Sequence, residues 1–146
     1  MYQHKALNTN AKLKSIEVAD EDTCFICSRV EENLYHLFFS CDYSRKVIGE
    51  IENWIRVPLP RQGLSDWRTR GTGTKLKQGI VNVILNATIY NIWRQRNLSK
   101  FELKLNRPEK VAQNIKTEMR ARISGVIKGV IDDCDRGWLR QMQIEI

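Results

Sequence analysis

The chain has 146 residues, 42% hydrophobic and 28% charged, with a formal net charge of +7 and a sequence pI near 9.4. That length and balance suit one compact domain, or a small module joined to a helical one, and exclude disorder throughout. No stretch approaches the roughly 20 apolar residues of a membrane span and no hydrophobic signal segment opens the chain, so a soluble, intracellular, nuclear protein is expected.

In chain order, residues 1–22 are polar. Thr9 or Asn10 is placed to cap a short helix through Lys14, with Leu7, Leu13 and Ile16 on one side. Residues 23–41 carry three cysteines and His36, with Leu34, Tyr35, Leu37, Phe38 and Phe39 set to plug into a core. Residues 42–57 read as a helix capped by Asp42 or Ser44, with Val47, Ile48, Ile51, Trp54 and Ile55 at helical spacing, ended by Pro58 and Pro60. Residues 58–74 are a connection bearing Trp67.

Residues 75–104 predict one long helix. Ile80, Val83, Ile84, Ala87 and Tyr90 make its stripe, which Val81, Leu85, Ile89, Ile92 and Trp93 widen. Its β-branched residues make a strand the competing assignment for part of it. Pro108 opens the next helix, whose seam is Val111, Ile115, Met119, Ile123, Val126 and Val130. A short helix with Trp138, Leu139 and Met142 is expected after Asp132. The predicted fold is therefore mainly α: a small module holding the Cys-Cys-His-Cys (CCHC) set with flanking helices (1–57), the connection (58–74), and a basic helical bundle (75–146).

The pattern Cys24-x2-Cys27-x8-His36-x4-Cys41 points to a metal. Two cysteines three apart can grip one ion from a tight turn, and the histidine and last cysteine close a tetrahedron of the ligands Zn2+ prefers. Four protein ligands leave no position for substrate or activated water, so the site is read as structural, its binding energy serving folding. A redox Cys-x-x-Cys pair, a Cys24–Cys27 or Cys41–Cys134 disulfide, and buried unligated thiols are the competing readings. Cys134 and His4 have no partner spacing.

The stretch LNTNAKLKSIEVADEDTCFICSRVEENLYHLFFSCDYSRKV resembles the zinc-binding domain that follows the reverse transcriptase in plant LINE-type (non-LTR) retrotransposons. The shared features are Thr-x-x-x-Leu, Cys-x-x-Cys, an acidic stretch, His-Leu-Phe-Phe-x-Cys and an aromatic-Ser-Arg. Downstream, ATIYNIWRQRNLSKFE is similar to the family's Ile-Tyr-x-Ile-Trp-x-x-Arg-Asn segment. The resemblance implies Cys24, Cys27, His36 and Cys41 as ligands and a nucleic-acid role in target-primed reverse transcription. The sequence has no recognisable polymerase or endonuclease motif, so it is expected to be an excised fragment or a host protein derived from such an element.

Charge is unevenly spread. Residues 1–60 hold seven Lys/Arg and nine Asp/Glu, residues 61–128 fifteen and four, and residues 129–146 two and four. The basic middle suggests a polyanion surface; an anionic membrane, an acidic protein or a merely solvated helix face are the alternatives. Arg96, Lys100 and Lys104 are spaced to follow phosphates along one helix face, beside Arg94 and Asn97. Arg61, Arg68, Arg70, Lys75 and Lys77 form a second basic group near the Gly71/Gly73 turn. Trp67 offers a stacking ring or a core anchor, while Trp54 and Trp93 read as core. Arg29, Arg45 and Lys46 surround the zinc loop.

The expected function is a non-catalytic, zinc-dependent module binding RNA or DNA through phosphates, with weak sequence preference. The alternative is a domesticated protein–protein interaction or regulatory domain acting through its helical surface, with a partner or second copy on the 111–130 helix. No nucleophile–base pair or phosphate loop is legible, so no enzyme is expected.

Overall fold

The computed structural model describes residues 23–59, 74–127, 129 and 131–145. The expectations for the 1–22 segment, Trp67, Arg61, Arg68, Arg70 and Val130 fall outside them. A π-helical turn at His36–Ser40 leads into α1 (Asp42–Ile55), followed by α2 (Lys75–Glu102), α3 (Pro108–Val126) and α4 (Asp133–Gln141). Among the described residues the only β pairing is an isolated antiparallel bridge between Thr23 and Glu31.

Helix α1 ends two residues earlier than the apolar spacing predicts. Arg56 turns left-handed there (φ 55°), and Pro58 follows. Its N-cap is the ligand Cys41, not Asp42 or Ser44. Asp42 instead lies in the first turn, where a carboxylate complements the helix's positive end. Ser44 is buried and donates its hydroxyl to the Leu37 carbonyl.

Helix α2 starts at Thr74, whose Oγ1 accepts from the Lys77 amide (3.2 Å) and donates to Asp135 on α4 (2.6 Å). Leu103 closes α2 in the left-handed conformation (φ 53°), and the Lys104 amide reaches back to the Leu98 carbonyl at 3.2 Å. Pro108 occupies the first turn of α3, where its missing N–H costs nothing. Asp132 caps α4 by accepting from the Cys134 amide at 2.7 Å.

One apolar core runs through all of these elements. Leu37, Phe38, Ile51, Ile55, Ile84, Ile92, Ile115, Met119, Leu139 and Met142 are each fully buried in it. Burying such side chains supplies about 1.5–3 kcal/mol apiece. Two tryptophans lace α1 to α4: Trp54 Nε1 donates to the Met142 carbonyl (3.0 Å), and Trp138 Nε1 to the Ile55 carbonyl (2.6 Å).

Two expected apolar faces differ in use. The α3 seam is spent inside the chain, since Val111, Ile115, Met119 and Ile123 are buried; Val126 is exposed. On α2 the buried face is Ile80, Val81, Ile84, Leu85, Ile89 and Ile92, continuing into Gln95 and Arg96. Val83 and Tyr90, expected in the stripe, are 42% and 38% exposed. A 28-residue helix crossing so small a core presents one side to it, and the other side remains at the surface.

Candidate metal centre

The four predicted ligands converge. One ligand atom from each of Cys24, Cys27, His36 and Cys41 lies within 4.8 Å of every other. A tetrahedron with Zn–S near 2.3 Å has edges of about 3.8 Å, so the donors need close in only slightly. Cys27 Sγ and His36 Nε2 are already 3.2 Å apart. Three soft sulfurs and one imidazole are zinc chemistry. No disulfide joins any of the four cysteines, and Cys134 is exposed and apart from the cluster.

Local hydrogen bonds shape the first two ligands into a knuckle. The Cys24 amide bonds the Val30 carbonyl and the Ser28 amide bonds the Cys24 carbonyl, both at 2.9 Å. Ser28 takes the left-handed conformation (φ 58°) that such a tight reversal requires. The Ile26 amide points at Cys24 Sγ from 3.4 Å, the kind of contact that supports a thiolate. On the other side, Asn33 Oδ1 accepts from the His36 amide at 2.8 Å and starts the π-helical turn. That turn aims the imidazole inward and sinks Leu37, Phe38 and Phe39 into the core, while Tyr35, expected to plug in beside them, is on the outer side of the turn and exposed.

The Cys24 and Cys41 sulfurs hold their protons unequally. The Cys24 thiol is pushed up by Cys41 beside it and by burial, while Cys41 is held down by Cys24 and, against burial, by the Tyr43 and Ser44 amides at the start of α1. The pair thus shares protons, and a cation that takes both sulfurs displaces them. Burial holds His36 below the ordinary histidine value, which keeps it neutral and able to ligate. Metal affinity, read by chelator competition, is expected to fall steeply as pH drops, because the thiolates regain protons as the ion leaves.

Residues 1–47 match the family described as zinc-binding in reverse transcriptase (zf-RVT). The Cys3His knot is a zinc-binding module of reverse-transcriptase origin. No curated protein and no solved structure matches the chain.

The zinc module does not stand alone; α2 holds it. Glu32, just after the knuckle, is fully buried and paired with Arg96: Glu32 Oε1 accepts from Arg96 NH2 at 2.9 Å and from Nε at 3.1 Å. The same carboxylate accepts from the Phe25 amide at 3.4 Å. Ser99 Oγ donates to the Phe25 carbonyl at 2.6 Å. The Arg96 and Lys100 cations each stand 5.3 Å from the centroid of the Phe25 ring. The two separated sequence blocks are therefore one object in space, the upstream block carrying the ligands and the downstream block clamping the knuckle. An exposed Arg29–Asp42 pair (2.7 Å) adds a link across the zinc loop, weak because solvent screens it.

This placement corrects the expected phosphate track. Arg96 is 1% exposed and spent on Glu32, so it cannot reach a phosphate. Asn97 is half-buried and accepts from Arg96 NH1 at 2.9 Å. Lys100 lies between the Phe25 and Phe101 rings, its pKa lowered by burial and by Arg96 nearby. Arg94, Lys75 and Lys104 are exposed, while Lys77 is half-buried over the Trp138 ring. Lys75 and Arg94 lie about 28 Å apart along α2 at 1.5 Å per residue. Sequence reasoning missed Glu32, Phe25 and Ser99 as supports of the zinc site, and Arg107 and Lys110 as exposed cations near Lys104.

No helix among the described residues is long and apolar enough to cross a membrane.

Proposed function

We propose that this chain is a non-catalytic nucleic-acid-binding module from a plant LINE-type retrotransposon, or a host protein derived from one, with zinc as its structural staple. The zinc ion, when bound, would supply cross-linking energy and nothing else, because Cys24, Cys27, His36 and Cys41 fill its coordination shell. The residues that would contact RNA or DNA are those around the α2–α3 junction. Arg94, Lys104, Arg107 and Lys110 are exposed there, and none of the four forms an ion pair among the described residues. The exposure of these cations, none of them in an ion pair among the described residues, is the observation that carries the reading.

Such contacts neutralise phosphates and release counterions, so affinity should fall with salt. Fluorescence anisotropy with a labelled oligonucleotide is expected to show a steep log–log salt dependence. Reversing Arg94, Lys104, Arg107 and Lys110 to Glu should abolish binding at moderate salt, and each single reversal should flatten the slope by about one. Binding that is absent at low salt, or indifferent to salt, would remove this reading.

A further inference from the structure

The α2–α3 junction carries more than charge. Phe101 is 71% exposed, Leu103 91% and Leu105 43%. These side chains are not on a floppy loop. Tyr43 Oη donates to the Asn106 carbonyl at 2.5 Å, Gln95 Oε1 accepts from the Asn106 amide at 3.0 Å, and the Lys104 amide bonds back to Leu98. Leu103 adopts a left-handed backbone that a β-carbon disfavours, in a place where it buries nothing. The left-handed turn serves to end α2, but the exposure of the Phe101 ring in the helix's last turn has no folding rationale in the described structure.

Beside Phe101 lies an open hollow of about 300 Å³ lined by Arg94, Asn97, Leu98, Phe101 and Glu102. Arg94, Asn97 and Phe101 recur at helical spacing, so the guanidinium, the amide and the ring share one face of α2. The chemistry is that of a base seat. Phe101 offers a flat apolar face, and Lys100 lies 5.1 Å from its centroid. Asn97 lines the hollow with its Oδ1 taken by Arg96, so the amide's NH2 is the group it has left to donate. Glu102 offers an acceptor at the rim, and Arg94 with Lys104 supplies positive charge for the backbone.

We propose that this hollow takes one unpaired base of a single-stranded nucleic acid, stacked on Phe101. Its edge meets the Asn97 amide and the Glu102 carboxylate, and its flanking phosphates meet Arg94 and Lys104. Stacking needs an open π-face, which a duplex does not offer along its length, so the seat selects single strands. The surrounding positive charge favours a polyanion over an apolar protein partner. This inference rests on the nucleic-acid reading above and adds the strandedness and the residue that reads it.

The test is anisotropy of the zinc-loaded full chain with three labelled probes: an oligothymidylate strand, an abasic strand of equal length, and a duplex. Phe101→Ala should weaken oligothymidylate binding roughly tenfold and leave the abasic strand and duplex unchanged. Arg94→Ala should weaken oligothymidylate and the abasic strand alike. Unchanged metal content and melting temperature of F101A, expected for so exposed a ring, keep the comparison clean. If Phe101→Ala has no effect while salt-sensitive binding persists, the base seat is wrong and the phosphate reading stands. If no probe binds at low salt, both fall. A dimer by light scattering that F101A dissolves would assign the ring to a second copy and overturn the proposal.

Discussion

Removing the metal should unfold the knuckle and loosen the helical body with it. A structural zinc site of this ligand type supplies on the order of 10 kcal/mol or more of apparent binding free energy at neutral pH, comparable to the whole stability of an ordinary domain. Here the ion would join Cys24 and Cys27 of the knuckle to His36 and Cys41, and the segment that carries His36 delivers Leu37, Phe38 and Phe39 to the core. The purified chain should contain one zinc per molecule. A strong chelator should lower the melting temperature by tens of degrees, or abolish a cooperative transition, with loss of helical circular dichroism. Cys41→Ser should do the same without chelator, and more severely than Cys27→Ser, because Cys41 is fully buried and caps α1 whereas Cys27 is only half-buried. A metal-free preparation with an unchanged melt in chelator would overturn the assignment of a structural ion.

The second large effect is expected at a pair of residues that never touch the metal. Arg96→Leu leaves the Glu32 carboxylate buried without its guanidinium, and breaking a buried pair from one side costs about 3–5 kcal/mol. Glu32→Leu strands Arg96 in the same way and removes the acceptor of the Phe25 amide. The double variant should recover much of the loss, since two apolar side chains carry no orphaned charge. Its recovery should be incomplete, because the knuckle loses that contact. Denaturant melts of the four proteins give the coupling energy, and zinc competition on the same set tells whether the pair also orients the ligands. Additive single effects, with no recovery in the double variant, would show that the two residues act separately.

The metal site was legible because its signal is local. Ligand type and spacing over eighteen residues suffice to propose a tetrahedron, and no distant contact has to be known. The helices were legible for the same reason: apolar periodicity, Pro108 as a first-turn residue, and Asp132 as a cap are short-range facts. Arg96 was misread because its partner lies 64 residues away. The charge spacing of Arg96, Lys100 and Lys104 suggested an outward face, yet a second periodicity ran through the same residue. Leu85, Ile89 and Ile92 step down the buried side of α2 at intervals of four and three, and the next position on that seam is Arg96. A cation that lands on an apolar seam is a buried ion pair in search of its acid, and the acids of the zinc loop were the nearest supply. Tyr90 and Val83 fail in the opposite sense: apolar residues widen a stripe on paper, and only the curvature of a small core determines how wide a stripe it can cover.

The lacing of α1 to α4 bears on how such a module can be moved between proteins. The matched region stops at residue 47, inside α1, whereas the hydrogen bonds of Trp54 and Trp138 run on to Met142 and Ile55. Cutting at the family boundary would split a helix and strip the inner faces of Ile51 and Ile55 of their cover. A transplantable cassette must therefore reach at least through the turn at Met142, well past the edge of the cysteine pattern.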